Sequence, residues 1–422
     1  MHNRSFLPIP KSVIRVLIVA FLAQVALIGV LRQYRTRPIE NHFAFGWEMG
    51  RVARSIAQGQ GFSNPYDADT GPTAWEPPIY PYLMAGVFKF FGIFTYSSAW
   101  VLLIINSLFA SLTTIPIFLI AAYCFDDRVA LWSAYAWALN PYIWYWSIHW
   151  IWDTTLTPFF LALIFLLALQ LQNWRGLRGW VIFGVLWGVA ALANPSMLAF
   201  LPFCGLWIWH RRFKHGLPSI AGVIISSAVF FLVLSPWLIR NYEVFGRFVF
   251  IRDDFGLQFR LGNSNGAEGM LMAYLQPNLN KLELEKFQRL GELKYGAECK
   301  RIAFEWIREH PAQFAIISLR RFFYYWNGVP KPTDSRAPWD FRNSLFLAWS
   351  ILSIWGAARA VRQKLPAAWL YAGLLLTYPT TYYFVFPHAR YRHPIEPELT
   401  ILAVFLLLQA KQKFSNSERI AN

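Results

Sequence analysis

Apolar positions run in long unbroken blocks along most of the chain, and polar positions collect in two stretches between them. The blocks cover 13–31, 97–122, 129–147, 154–171, 218–238, 343–360, 366–385 and 394–410. Each is near the ~20 residues that a helix needs to cross a bilayer. Continuous blocks of this kind predict α-helices, since a lipid-exposed barrel shows short alternating segments instead. The stretch 179–210 is too long for one crossing and is interrupted at Asn194-Pro195. A proline there predicts two short helices meeting at the break. The pattern predicts an all-α polytopic membrane protein with about ten transmembrane helices.

Composition agrees. Only 15% of the 422 residues are charged, against roughly a quarter in a soluble domain. Aromatics reach 18%, as expected where Trp and Tyr line both lipid–water interfaces. Short loops rich in Lys and Arg face the cytoplasm. Arg4 and Lys11, Arg175 and Arg178, Arg211, Arg212 and Lys214, Arg359, Arg362 and Lys364, and Lys411 and Lys413 all fall on one side. That predicts an even number of spans with both ends inside, although Arg32, Arg35 and Arg37 fall outside. These arginines follow the first block where a signal peptide would carry a small-residue cleavage site, so the block reads as an uncleaved span.

The two polar stretches divide the chain. Residues 1–238 form an N-terminal transmembrane core with a first outer loop at about 32–96, residues 239–342 a large outer segment, and residues 343–422 the C-terminal transmembrane helices. The first loop predicts a helix from Trp47 to Gln58, a turn-rich stretch from Ser63 to Thr73, and an interfacial helix or span extension from Leu83 to Phe94. The second predicts an amphipathic helix from about Leu282 to Glu309 and a membrane-hugging helix after Pro311 with Arg320 and Arg321. No dinucleotide fingerprint, P-loop, zinc spacing or nucleophile elbow is present. Cys124, Cys204 and Cys299 make no disulfide framework. The net charge of +16 does not imply nucleic acid. The outer arginines suit an anionic lipid headgroup or sugar phosphate.

A few residues carry candidate chemistry. Glu48 sits just beyond the first span, at the mouth of the bundle, as a proton acceptor or as an exposed partner of Arg51. Glu76 lies in Trp75-Glu76-Pro77-Pro78, near Tyr80 and Tyr82. Asp153, between Trp residues at membrane depth, is a functional acid, a helix cap, or both. Asp67-Ala68-Asp69 matches a short acid-x-acid metal pattern that is frequent among turn residues. Pro387-His388-Ala389-Arg390-Tyr391-Arg392-His393-Pro394 crowds cations at the outer mouth of the last span, where Arg390 and Arg392 suit a phosphate. Arg240 ends another span on the same side. His149 and His393 stand among aromatics beside these groups.

With these residues in place, the chain resembles the integral-membrane glycosyltransferases of the GT-C superfamily. It is most similar to the bacterial family 39, or dolichyl-phosphate-mannose mannosyltransferase-like, branch. The resemblance rests on Glu48 with Ala53-Arg54 and Gly59-Gln60-Gly61-Phe62, on Glu76-Pro77-Pro78-Ile79-Tyr80-Pro81, on Asp153 opening a span, on Ala193-Asn194-Pro195-Ser196, and on Arg390-Tyr391-Arg392 with Pro394. It implies an active-site acid in the first outer loop, carried here to Glu48, where the family commonly has Asp. It implies a second acid before the fourth span, carried to Asp153.

The expected function is transfer of a hexosyl or pentosyl group from a polyprenyl-phosphate donor to a lipid, glycan or protein acceptor. The site faces the periplasm of a bacterial inner membrane. Glu48 acts as general base, Asp153 supports it, and Arg390, Arg392 and Arg240 bind the donor phosphate. Glu76, Tyr80, Tyr82, His149 and His393 contact substrate. No metal or other cofactor is required by this scheme. A transporter or flippase for lipid-linked sugars would use the same arginines without a base, and would show paired broken helices in two related halves. A non-catalytic assembly subunit would use the outer segments to bind protein.

Overall fold

The computed structural model describes residues 8–35, 45–330 and 341–421. Arg4 and Arg37 lie outside them, as do 36–44 of the first loop and 331–340 of the second outer segment. Among the described residues every regular element is helical.

Helix α1 (Lys11–Val30) shows why these blocks pack as they do. Val13, Val16, Ala20, Gln24 and Ile28 recur every three to four residues and are buried. Ile14, Ile18, Val19 and Leu22 on the other side are exposed, as suits a helix that presents one stripe to a bundle and the rest to lipid. Four helices among the described residues are long and apolar enough to cross a membrane: Lys11–Val30, Tyr96–Cys124, Ile220–Phe245 and Arg342–Arg362. Shorter apolar helices fill the space between them, among them Ile79–Phe91, Leu156–Leu171 and Arg178–Ala193. The chain is an integral membrane protein.

The remaining elements follow in order. They are α2 (Glu48–Ala57), α3 (Ile79–Phe91), α4 (Tyr96–Leu112), α5 (Thr114–Cys124), α6 (Asp127–Ala138) and α7 (Pro141–His149). Then come α8 (Leu156–Leu171), α9 (Arg178–Ala193), α10 (Leu201–Lys214) and α11 (Ile220–Phe245). The outer segment holds α12 (Phe255–Gly262), α13 (Lys281–Leu290), α14 (Glu292–Glu309) and α15 (Pro311–Asn327). The chain ends with α16 (Phe341–Arg362), α17 (Ala368–Thr377), α18 (Thr380–Phe384), α19 (Ala389–Arg392) and α20 (Glu396–Ala421).

Several expected boundaries change. The block 129–147 is two helices, because Pro141 has no N–H to donate to a continuing helix. Asn140 caps the restart by accepting from Tyr142 N at 2.9 Å. The amphipathic helix expected over Leu282–Glu309 breaks at Gly291, whose φ of +75° no helix accommodates. The span expected to end at Leu238 continues through Phe245, carries Pro236 inside it, and stops at left-handed Gly246. The break at Asn194-Pro195 is present, with a short 3₁₀ turn at Pro195–Phe200 leading into α10.

Helices α9 and α11 approach closely through Gly184 and Gly188. A Cβ on Gly184 would stand 2.5 Å from Ser226 O, and one on Gly188 2.7 Å from Val233 Cβ. Small residues four apart allow this backbone approach in lipid, where packing rather than water exclusion drives association. The largest core cluster runs through α5, α6, α8, α9, α10, α17 and α20. Tyr66 and Trp75 of the first loop share a second cluster with Leu257, Phe287, Tyr295 and Phe386. That cluster fastens the first loop, the outer segment and the approach to the last helix into one cap over one end of the bundle. The three cysteines are free and buried.

Candidate active site

Glu48 is the first residue of α2, and the chain enters that helix through a strained bend. Trp47 has φ +39° and Gly46 φ +62°, and left-handed values are uncommon for a residue such as Trp. A Cβ on Gly46 would lie 2.7 Å from Ile151 O, so the bend is pressed against the segment carrying Asp153. Buried Met49, Val52 and Ala53 anchor the helix below. The Glu48 carboxylate is half-buried and accepts a hydrogen bond from Asn278 Nδ2 at 3.1 Å. Burial raises its pKa above the usual carboxylate range, opposed by its own backbone N–H and by the charges of Arg51, Arg390 and Arg252.

Asp153 lies on the non-helical joint between α7 and α8. Thr155, not Asp153, takes the cap position, and no side chain caps that helix. The backbone carbonyl of Asp153 accepts from Leu156 N and Thr157 N, both at 3.1 Å. Its carboxylate faces elsewhere and accepts from Asn194 Nδ2 at 2.8 Å. Asn194 is itself held, since its Oδ1 accepts from Ser196 N at 3.1 Å and Ser196 Oγ at 2.7 Å. The proline break in the apolar stretch 179–210 thus serves to aim an amide at Asp153.

Arg390 reaches the same place from the far end of the chain. Its guanidinium stands 4.4 Å from the Trp152 ring, 5.2 Å from Tyr391 and 5.9 Å from Trp150. Nη2 donates to Tyr391 Oη at a long 3.5 Å. Nε is buried without a hydrogen-bond partner among the described residues. Aromatic faces hold the cation by its flat sides and leave its edge donors for an anion. Arg390 is within electrostatic reach of both Glu48 and Asp153.

A second arginine completes the site, and sequence reading missed it. Arg252 pairs with Asp254 and lies 3.8 Å from Glu76 Oε2. It sits on a bend after α11, where Ile251 takes φ +58°, a genuine outlier for a β-branched residue. Trp237 Nε1 donates to Ile251 O at 2.7 Å, and Asp253 N donates to Ala74 O at 2.9 Å. The surroundings therefore over-determine the bend. Burial works against the charge on Arg252, but Asp254, Glu76 and Asp153 outweigh it and hold its pKa above the usual value. Glu76 is buried and pushed up to about 8 by that burial; Arg252 opposes the rise while Glu48, Asp254 and Asp153 add to it. The only sequence signal was a charged triplet, Arg252-Asp253-Asp254, soon after a span.

Other expected residues are placed elsewhere. Arg392 is buried, bonded to Glu396 Oε1 at 2.6 Å and to Ser350 Oγ and Phe346 O. Its donors serve the protein, so Arg392 does not join Arg390 on one phosphate as expected. Arg240 donates to Thr73 O at 2.7 Å and Phe62 O at 2.8 Å, and stacks near Trp237 at 4.9 Å. It staples the first loop to α11 rather than offering a free fork. Glu292 works beside it, accepting from Ala74 N at 2.7 Å and from Thr73 Oγ1. Tyr80 is buried and donates to Asn106 Oδ1 at 3.0 Å, while Tyr82 is exposed beside Phe62. His149 meets Gln33 Oε1 at 2.8 Å and stacks on Tyr145. His393 is buried between Trp137 and Trp146. Arg321 is buried on Asn263 and Phe384 O. Asp67 and Asp69 are exposed, with Asp67 3.7 Å from Arg54. Among the described residues no three His, Cys, Asp or Glu side chains converge as a metal site.

Residues 75–239 match the family described as dolichyl-phosphate-mannose-protein mannosyltransferase. The matched part holds Glu76, Asp153 and Asn194 but not Glu48, Arg252 or Arg390. No curated protein matches the chain at a significant level. Among solved structures, the oligosaccharyltransferase AglB from Archaeoglobus fulgidus, in complex with an inhibitory peptide and a dolichol-phosphate, is 14% identical. It covers 97% of this chain and 51% of its own, with TM-score 0.54. The same enzyme in complex with zinc and sulfate gives TM-score 0.53 at 14% identity, over 94% of this chain and 49% of its own. ArnT from Cupriavidus metallidurans, bound to undecaprenyl phosphate, is 13% identical over 94% of this chain and 77% of its own, with TM-score 0.38. The chain spans about half the length of the oligosaccharyltransferase. It carries the fold of the GT-C integral-membrane glycosyltransferases, as the sequence resemblance implied.

Proposed function

We propose that this GT-C-fold chain is a glycosyltransferase that moves a sugar from a polyprenyl-phosphate donor to a hydroxyl acceptor. The observation that carries the reading is a half-buried glutamate, Glu48, within electrostatic reach of the guanidinium groups of Arg390 and Arg252. A base and a phosphate clamp are the two parts that such a transfer needs. Glu48 takes the proton from the acceptor hydroxyl as its oxygen attacks the anomeric carbon. The carbon–oxygen bond to phosphate breaks, and its electron pair leaves on the polyprenyl phosphate. Direct attack inverts the anomeric centre. Arg390 and Arg252 bind the phosphate and stabilise the charge that grows on it.

Asp153, within electrostatic reach of Arg390, is assigned the orienting of that cation, with Asn194 bonded to the carboxylate. Asn278 of the outer segment orients Glu48. Glu76 and Asp254 hold Arg252 in place. The family match to dolichyl-phosphate-mannose enzymes and the dolichol-phosphate in the AglB complex support a lipid-linked phosphate as the donor's leaving group. The proposed setting is a bacterial inner membrane with the site on the periplasmic side, where lipid-linked sugars replace nucleotide sugars. Two positive charges supply what a metal would otherwise provide, so the scheme runs without one.

The test is transfer from a panel of radiolabelled polyprenyl-phosphate hexoses and pentoses by the purified chain in lipid nanodiscs. Glu48→Gln is expected to lose at least ~100-fold in turnover, the scale of a general base, while donor binding stays. Near-normal transfer by this variant would remove Glu48 from the role of base. No transfer by wild type from any donor, with no donor bound, would remove the reading itself.

A further inference from the structure

A polar cleft of about 610 Å³ opens on the first loop, at the end of α2 opposite Glu48. Arg54, Gln58, Gln60, Ser63, Asp67 and Asp69 line it, and none of the lining side chains is a large apolar group. Its volume is that of a small-molecule site, yet such sites are mostly apolar. A ligand that suits it must present donors and acceptors on several sides and little greasy surface. Two carboxylates against one guanidinium disfavour a phosphate or other anion. A peptide would lack the apolar anchor pockets that carry its binding energy. A polyhydroxylated neutral ring satisfies amide, hydroxyl and carboxylate partners together.

The cleft is built rather than incidental. Asn64 Oδ1 accepts from Thr70 N and Gly71 N, both at 2.9 Å, and closes the turn that carries Asp67 and Asp69. Asn64 N donates to Gly71 O at 3.0 Å, and Thr73 N to Phe62 O at 3.0 Å. Arg54 is 3.7 Å from Asp67 across the opening, and Gln288 of the outer segment braces the turn at Asp69 O, 3.3 Å. A wall fixed in this way loses little entropy on binding.

The cleft and Glu48 lie at the two ends of the same helix. Glu48 and Gln58 lie on one helix about 15 Å apart along its axis. Arg51 stands between them, acting on Glu48 on one side and on Asp67 and Arg54 on the other. Its Nη1 is buried and meets no hydrogen-bond partner among the described residues. We infer that the cleft is an acceptor subsite for a neutral oligosaccharide, with one ring held by Gln58 and Asp69 while a ring further along presents its hydroxyl to Glu48. This rests on the glycosyltransferase reading, which it extends by naming the acceptor as a glycan of more than one ring.

The experiment measures binding, not transfer. The full chain is placed in phosphatidylcholine nanodiscs, which avoids sugar-headed detergents, and is passed over immobilised neutral di-, tri- and tetrasaccharides. Sulfated oligosaccharides and tetrapeptides serve as competing classes. The expected result is retention of at least one neutral oligosaccharide by wild type. The double variant Gln58→Ala/Asp69→Ala, both on exposed positions, should bind it roughly tenfold more weakly, about the loss of one or two hydrogen bonds. Failure of wild type to bind any neutral oligosaccharide, equal binding by the double variant, or preference for peptides or sulfated glycans would overturn the inference. Undecaprenyl phosphate binding is measured on the same discs. If the glycan binds but the lipid phosphate does not, the subsite stands and the polyprenyl-phosphate reading falls.

Discussion

Replacing the two neighbouring arginines of the last outer loop, Arg390 and Arg392, should have opposite kinds of effect. Arg390 is held by Trp152, Trp150 and Tyr391 and has a buried Nε without a partner among the described residues. A charge-assisted hydrogen bond is worth roughly 1.5–3 kcal/mol. At about 1.4 kcal/mol per decade, Arg390→Ala should weaken donor affinity roughly ten- to a hundredfold. Loss of its stacking costs stability about 0.5–2 kcal/mol. Arg390→Lys should rescue affinity only partly, because the ammonium keeps the charge and loses the planar fork. Arg392 instead forms a buried pair with Glu396 at 2.6 Å. Arg392→Ala leaves Glu396 buried and uncompensated, at a cost of about 3–5 kcal/mol, while the folded fraction binds donor as wild type does. Changing both partners, Arg392→Met with Glu396→Leu, should recover most of that stability. The assay is calorimetric binding of undecaprenyl phosphate to each variant in nanodiscs, with thermal unfolding beside it. Equal donor binding by wild type and Arg390→Ala would refute the assignment. Affinity lost by Arg392→Ala at unchanged stability would restore that residue to the site.

Asp153→Asn should lower turnover more than it lowers the melting temperature, since the carboxylate caps no helix and lies within electrostatic reach of Arg390; an equal fall in both would make it structural. The rate should also depend on pH through Glu48, whose carboxylate must be ionised to accept a proton. Its pKa is raised by burial, so activity should fall as pH drops through a midpoint above the usual carboxylate range, and a profile flat down to pH of about 4.5 would contradict this. Transfer should survive a strong chelator, because the proposed scheme takes its positive charge from Arg390 and Arg252; loss on chelation with recovery on manganese or magnesium would place a metal in the site.

Much of the site was legible because it lies where apolar blocks end. An ionisable residue at such a border is costly to keep near lipid and so draws notice, as Glu48, Asp153 and Arg390 did. Glu76 was noticed in the Pro-rich run that carries the family resemblance, and its carboxylate lies 3.8 Å from Arg252. The division of labour between Arg390 and Arg392 could not be read. Residues two apart in a helical turn point about 200° apart, so one faces the site and the other the bundle, and only the turn at α19 decides which. Arg252 and Asn278 were missed for a related reason. Both lie in the polar outer segment, where charged and amide side chains are ordinary, and only the tertiary fold brings Asn278 to Glu48 and Arg252 to Glu76.

The sequence by itself determined the solvent in which this protein lives, its helical class and the places where its apolar blocks end. Those follow from composition and from one-dimensional spacing, since a bilayer leaves few ways to satisfy a backbone. It also located the proline break at Asn194-Pro195, a local steric consequence. Tertiary structure decided which charges meet. Glu48, Asp153, Arg252 and Arg390 are separated by some hundred residues each and converge only when the cap closes through Tyr66, Trp75, Phe287 and Phe386. It also decided which cations are spent on the protein itself, as Arg240, Arg321 and Arg392 are. A guanidinium looks the same in sequence whether a backbone carbonyl or a ligand will occupy its donors, and packing alone makes that choice.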